Sequence, residues 1–97
     1  MKNALISPNE SVSYISGWTE ETYPKEIITT IPNAYRIAEI NDATFEVAIP
    51  LFWVECSDNI ISHEFYYDSV MKTIIEIPDT PPYPELTQPN TTGSQNL

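Results

Sequence analysis

The 97 residues carry fourteen acidic side chains against four basic ones, Lys2, Lys25, Arg36 and Lys72, for a formal charge of −10. That balance disfavours direct DNA or RNA binding, where affinity comes from Lys and Arg neutralising phosphates, and it disfavours an anionic membrane surface too. No apolar run is long enough to span a bilayer. The single Cys56 excludes an internal disulfide and the lone His63 argues against a structural zinc site, so no cofactor or metal is expected. A chain of this size buries a thin core, and the remaining way to complete it is a protein partner.

In chain order, the N-terminus offers one lysine and the three-residue apolar run Ala4 to Ile6, too short for the apolar region of a signal peptide. Ser7-Pro8-Asn9 is turn chemistry, and the spacing predicts a hairpin from Ala4–Ile6 to Ser11–Ser16, ended by Gly17. Trp18 should plug the edge of a small core. Thr19 to Pro24 reads as an acidic loop, with Glu20 and Glu21 facing water. Ile27 to Ile31 is β-branched throughout and therefore extended. After Pro32-Asn33 comes Ala34 to Ile40, then a tight turn at Asn41-Asp42 leading to Thr44, so these two flanking runs are expected to pair antiparallel.

Thr44 to Cys56 is the longest apolar segment. Phe45, Val47 and Ile49 share one face at a period of two, Pro50 makes a corner, and Leu51, Trp53 and Glu55 then alternate with Phe52, Val54 and Cys56. Both faces are apolar near the middle, so one needs a cover, supplied by this chain or by another subunit. Ile60 to Tyr67 reads as a strand, Asp68 to Lys72 as one turn, and Thr73 to Ile77 as the returning arm of a second hairpin. No window has helical periodicity. The expected core is Phe45, Val47, Leu51, Trp53, Phe65, Ile75 and Ile77, with Trp53 mostly buried.

From Pro78 the composition turns to proline, favouring polyproline II and then flexible coil, with few contacts to the rest of the chain. Pro81-Pro82-Tyr83-Pro84 is similar to the proline-tyrosine segments that aromatic grooves bind. The expectation is therefore a mainly β protein: a small antiparallel sheet, or a sandwich- or barrel-like domain, over 1–77, followed by a disordered proline-rich tail over 78–97.

Cys56, Asp58 and His63 hold the residue types of a thiol nucleophile, its orienting carboxylate and its base. No glycine-rich turn or helix N-terminus beside Cys56 would lower its pKa, and the thiol reads as a small buried hydrophobe. The carboxylate pairs at Glu20-Glu21 and Glu55/Asp58 read as a solvated face. With only Gly17 and Gly93, no phosphate-cradling loop can be built. No catalytic residue is assigned, and an enzyme is not expected.

Val47-Ala48-Ile49-Pro50-Leu51-Phe52-Trp53-Val54-Glu55-Cys56, then Tyr66-Tyr67-Asp68, then Ile77-Pro78, resembles a family of small uncharacterised proteins of tailed bacteriophages, marine cyanophages in particular. Those proteins carry a Val-Ala-x-Pro-Leu-Phe-Trp-Val core, a Tyr-Tyr-Asp hairpin and a proline-rich end, usually with two prolines where this chain has Ile49-Pro50. The resemblance implies a phage protein, found in the virion or the host cytoplasm. The expected role is a non-enzymatic structural or accessory component that decorates or cements a capsid or tail by protein–protein binding. Its partners would be a capsid or tail protein or a second copy of itself. The alternative is a small acidic phage factor that binds and modulates a host protein. The contact residues singled out are Phe52, Trp53, Tyr66, Tyr67, Pro81, Pro82 and Tyr83.

Overall fold

The computed structural model describes residues 1–84; the coil expected over the last part of the tail lies outside the described residues. Among them there is no helix. The strands are β1 (Lys2–Ser7), β2 (Ser13–Trp18), β3 (Glu26–Thr30), β4 (Ala34–Asn41), β5 (Phe52–Cys56), β6 (Phe65–Asp68) and β7 (Thr73–Glu76). Five of them form one curled antiparallel sheet in the order β5-β1-β4-β6-β7, while β2 and β3 form a separate hairpin. The mainly β, antiparallel class is as the sequence reads.

The strand pairing is not. Instead of turning back onto Ser11–Ser16, β1 lies between β4 and β5, with Ile6 opposite Ile37 and Phe52, and Ala4 opposite Ile40 and Val54. The reason is burial. Ala4, Leu5 and Ile6 are successive apolar residues that point to both faces, and only an interior strand hides them all. A bulge at Ala38, where the register slips between Leu5 and Ile6, fits the two strands together.

Thr44 to Ile49 does not take the pairing expected of it. β1 occupies one side of β4 from Arg36 to Asn41, β6 pairs the other side over Ala34, Tyr35 and Arg36, and the run from Thr44 joins neither. It becomes an irregular loop closed by the turn in which Leu51 N–H donates to Ala48 O (3.0 Å). Pro50, joined to Ile49 by a cis bond, lies within that turn and not at a corner between two strands. Phe45 is half-exposed rather than core, and Ile49 is 94% exposed. Similarly, Ile60 to Glu64 is not strand: Ile60 N–H closes a turn that begins at Ser57 O, and Glu64 N–H closes a second from Ile61 O.

The β6–β7 hairpin forms as expected, around a single turn. Asp68 Oδ1 accepts from the amides of Val70 and Met71, Lys72 N–H donates to Asp68 O, and Lys72 closes the turn at φ 58°. Asn33, in the β3–β4 turn at φ 60°, is a residue type that tolerates the left-handed region. Its carbonyl is tied to both the amide and the hydroxyl of Ser69.

Two apolar clusters use opposite faces of the sheet. On the inner face, Ala4, Ile6, Ile37, Cys56 and Tyr67 are buried, packed by Tyr35, Ile40, Phe52, Val54, Ile60, Phe65 and Ile74. On the other, Ala34 and Tyr66 meet Val12, Ile31, Ile75 and Ile77. Val12 and Ile31 are the root of the β2–β3 hairpin, joined by a hydrogen bond from Ile31 N–H to Val12 O. Beyond that root the hairpin packs on no strand of the large sheet to any extent and stands out from it as an arm. Gly17 does not end β2; the strand runs on to Trp18, past a bulge at Ser16 whose hydroxyl bonds Thr29 Oγ1 at 2.6 Å.

Candidate functional site: two tryptophan clamps

Neither tryptophan is a core residue. Trp53, expected to be mostly buried, lies half-buried on the outer face of β5, paired across the ladder with Leu5. Its indole N–H donates to Phe45 O at 2.8 Å, and the Phe45 ring meets it edge-on at 5.1 Å and 78°. Trp53 thus pins the irregular loop back over the sheet at the β5 edge, leaving Ile49 at the loop's tip in water.

Trp18 repeats the arrangement at the far end of the arm. Its indole N–H donates to Pro81 O at 3.0 Å, and the Tyr83 ring meets it edge-on at 4.9 Å and 79°. Pro78 to Pro84, expected to make few contacts with its own chain, therefore runs from the end of β7 to the arm and is fastened there. Between Pro78 and Thr80 it stands off β2, leaving an open cleft of about 430 Å³ whose walls include Tyr14, Ile15 and Glu76. Proline explains the sparse bonding: the strap has few amides to give, and an extended proline segment presents its carbonyls outward.

The singled-out contact residues separate into two groups. Trp53, Pro81, Pro82 and Tyr83 stand at the surface clamps. Tyr66 and Tyr67 do not: each is only 8% exposed. Adjacent residues of a strand point to opposite faces, and both faces of β6 are covered, so the pair serves the two clusters rather than a contact surface. Phe52 also turns inward, with its ring edge-on to Tyr67 at 5.5 Å.

Compared with known protein families, curated proteins and solved structures, the chain matches none.

The sheet's curl brings its two edges, β5 and β7, onto one crevice of about 350 Å³, lined in part by Val54, Cys56, Ile60 and Ile74. Cys56 is buried there, and burial first, then the nearby Asp58 carboxylate, pushes its thiol above the ordinary value. His63 lies elsewhere, exposed at a cleft by the root of the arm, with Val12, Ser13 and Ile77 around it. The Cys56–Asp58–His63 trio is not assembled, and among the described residues no group of three His, Cys, Asp or Glu gathers as a metal site. The acidic pair Glu20-Glu21 is exposed at the tip of the arm, as expected of a solvated face.

Proposed function

We propose that the protein is a non-enzymatic binding component, of the structural or accessory kind that decorates or cements a phage capsid or tail, and that it binds through the Trp53 clamp and the β5 edge. The observation that carries this reading is that Ile49, 94% exposed, and half-exposed Phe45 stand on one loop that the Trp53 indole fastens at Phe45. Large apolar side chains fixed in water at a sheet edge mark a contact surface. The likeness of Pro50-Leu51-Phe52-Trp53-Val54 to phage proteins supports the setting.

The magnitudes say what else the contact needs. Covering a fully exposed side chain of this size contributes roughly 1.5–3 kcal/mol, whereas association costs about 4–15 kcal/mol. Ile49 and Phe45 alone do not hold a partner. The unpaired edge of β5 supplies the remainder by accepting a partner strand, with main-chain hydrogen bonds giving affinity and the Ile49–Phe45 surface giving specificity.

Sedimentation with the particle fraction tests this. The wild-type chain is expected to travel with particles and Ile49→Asp to stay in the supernatant while folded. A chain that never leaves the soluble fraction, or an Ile49→Asp chain that still travels with particles, overturns it. The rival reading, an acidic factor that captures a host protein at a basic patch, draws on the −10 charge and the exposed Glu20-Glu21 tip. It is favoured by a soluble monomer whose binding to a host protein weakens steeply with salt.

A further inference from the structure

The Trp18 clamp has the parts of a proline-recognition site: an indole N–H aimed at the carbonyl of an extended proline segment, and an aromatic edge contact to the tyrosine two residues on. We propose that the end of the arm is a receptor for Pro-Pro-Tyr-Pro segments, filled by the chain's own strap in the monomer and by the strap of a second copy when copies are concentrated, so that paired chains exchange straps.

Three features carry the exchange. The ligand is a segment of this chain, so a second copy presents the receptor with identical chemistry and closes a two-fold pair. The strap is fastened at its far end and not along its length. Within the described residues its hydrogen bond to the rest of the chain is the one from Trp18, and the cleft beside Pro78, Asp79 and Thr80 separates it from β2. The receptor itself is built on a projecting arm, β2 and β3, so a neighbour's strap can approach without disturbing the five-stranded sheet. Tethering gives the strap in its own chain an effective concentration on the order of millimolar. Exchange therefore belongs to a crowded lattice of copies or a concentrated solution. Each copy carries −10, so added salt should promote exchange by screening the repulsion, opposite to a dimer held by ion pairs.

The test is complementation between two full-length chains. One has a broken strap, Pro82→Gly with Tyr83→Ala; the other has a broken receptor, Trp18→Ala. Sedimentation velocity of the wild type should show dimer increasing toward about 1 mM protein and increasing with salt. Each variant alone should stay monomeric, and their mixture should associate because an intact strap meets an intact receptor. In parallel, a synthetic peptide of the sequence Pro-Asp-Thr-Pro-Pro-Tyr-Pro should shift the Trp18 indole N–H resonance of the strap-broken chain. Its affinity there should be at least about tenfold higher than for wild type, where the resident strap competes. Should Trp18→Ala disturb the arm, Trp18→Phe, which keeps a ring and loses the N–H, must weaken the dimer in its place. A wild-type chain that remains monomeric at that concentration, a mixture that does not associate, or a peptide that leaves the Trp18 resonance unmoved in the strap-broken chain overturns the proposal. None of these results depends on particle binding.

Discussion

Replacing Ile37 by Ala and Ile49 by Ala removes the same three carbons from two isoleucines that sequence alone does not distinguish. Ile37 sits on the central strand β4, opposite Ile6, and is 1% exposed; Ile49 is 94% exposed at the loop tip. At about 0.8 kcal/mol per buried methylene, the transfer loss at Ile37 is about 2.4 kcal/mol, and the cavity left between β1, β4 and Tyr67 raises it to about 3–4 kcal/mol. A domain of this size holds on the order of 5–15 kcal/mol. Ile6 and Ile37 are the largest fully buried side chains, which places this one toward the lower end. Ile37→Ala should then cost half the stability and lower Tm by about 12–24 °C for a 3 kcal/mol loss, while Ile49→Ala should stay within about 0.5 kcal/mol of wild type. Urea unfolding followed by far-ultraviolet circular dichroism measures both, with the midpoint moving and the slope unchanged. Equal losses at the two positions, or a loss at Ile37 below about 1 kcal/mol, would refute the assignment of the core to the β1–β4 seam.

Cys56 should react slowly with iodoacetamide at neutral pH, because burial and Asp58 hold the thiol above its ordinary value and so keep thiolate scarce; a rate equal to that of a free cysteine would contradict the buried placement. Trp53→Phe keeps the ring contact with Phe45 but loses the 2.8 Å hydrogen bond, at a cost of about 0.5–1.5 kcal/mol. Amide exchange should accelerate in residues 43–51 and not in β4 or β6. Lys2 Nζ and Asp42 Oδ1 lie 2.9 Å apart, and that hydrogen bond with its charge attraction holds the Asp42 carboxyl below 3.8. The pair's contribution is therefore present above the unfolded carboxyl value and is lost as pH falls through the lowered one. Because both groups face solvent, where exposed ion pairs contribute little and salt weakens them further, Asp42→Asn should leave Tm unchanged in about 1 M salt. A carboxyl titration midpoint at or above 3.8 would remove the contact.

Local chemistry was legible. The β-branched run at Ile27–Ile31, the β-rich segment Ala34–Ile40, the Asp68 turn and the Thr73–Ile77 return all form where their residues direct them, with β3, β4 and β7 each ending within a residue or so of those bounds. Which strand pairs with which was not legible, because that choice is settled by non-local burial. Ala4-Leu5-Ile6 has no polar residue to spare for solvent and takes the interior position that Thr44–Ile49, broken by Glu46, cannot use. One signal did point to two covered faces at the β6–β7 end. The doublets Tyr66-Tyr67 and Ile74-Ile75 send a large side chain each way from paired strands. The clamps left no such trace, since Trp18 finds its acceptor 63 residues away and the partner is a backbone carbonyl, which carries no residue signature.

A chain with so thin a core would gain stability by burying its two tryptophans, each worth more apolar area than any isoleucine it does bury. It instead places both at the surface, where each holds one irregular segment by a hydrogen bond and an aromatic edge. That arrangement contributes little to the core and much to readiness. A loose loop would lose about 0.5–1.5 kcal/mol for each side chain ordered on binding, and a segment already fastened to an indole avoids most of that loss. On the reading proposed above, the Phe45–Ile49 loop would meet a partner in a fixed shape, whereas the Pro81–Tyr83 strap has to leave Trp18 before it can be exchanged. Stability forgone in the core and shape gained at the surface fit the role proposed above, in which the chain works by contact.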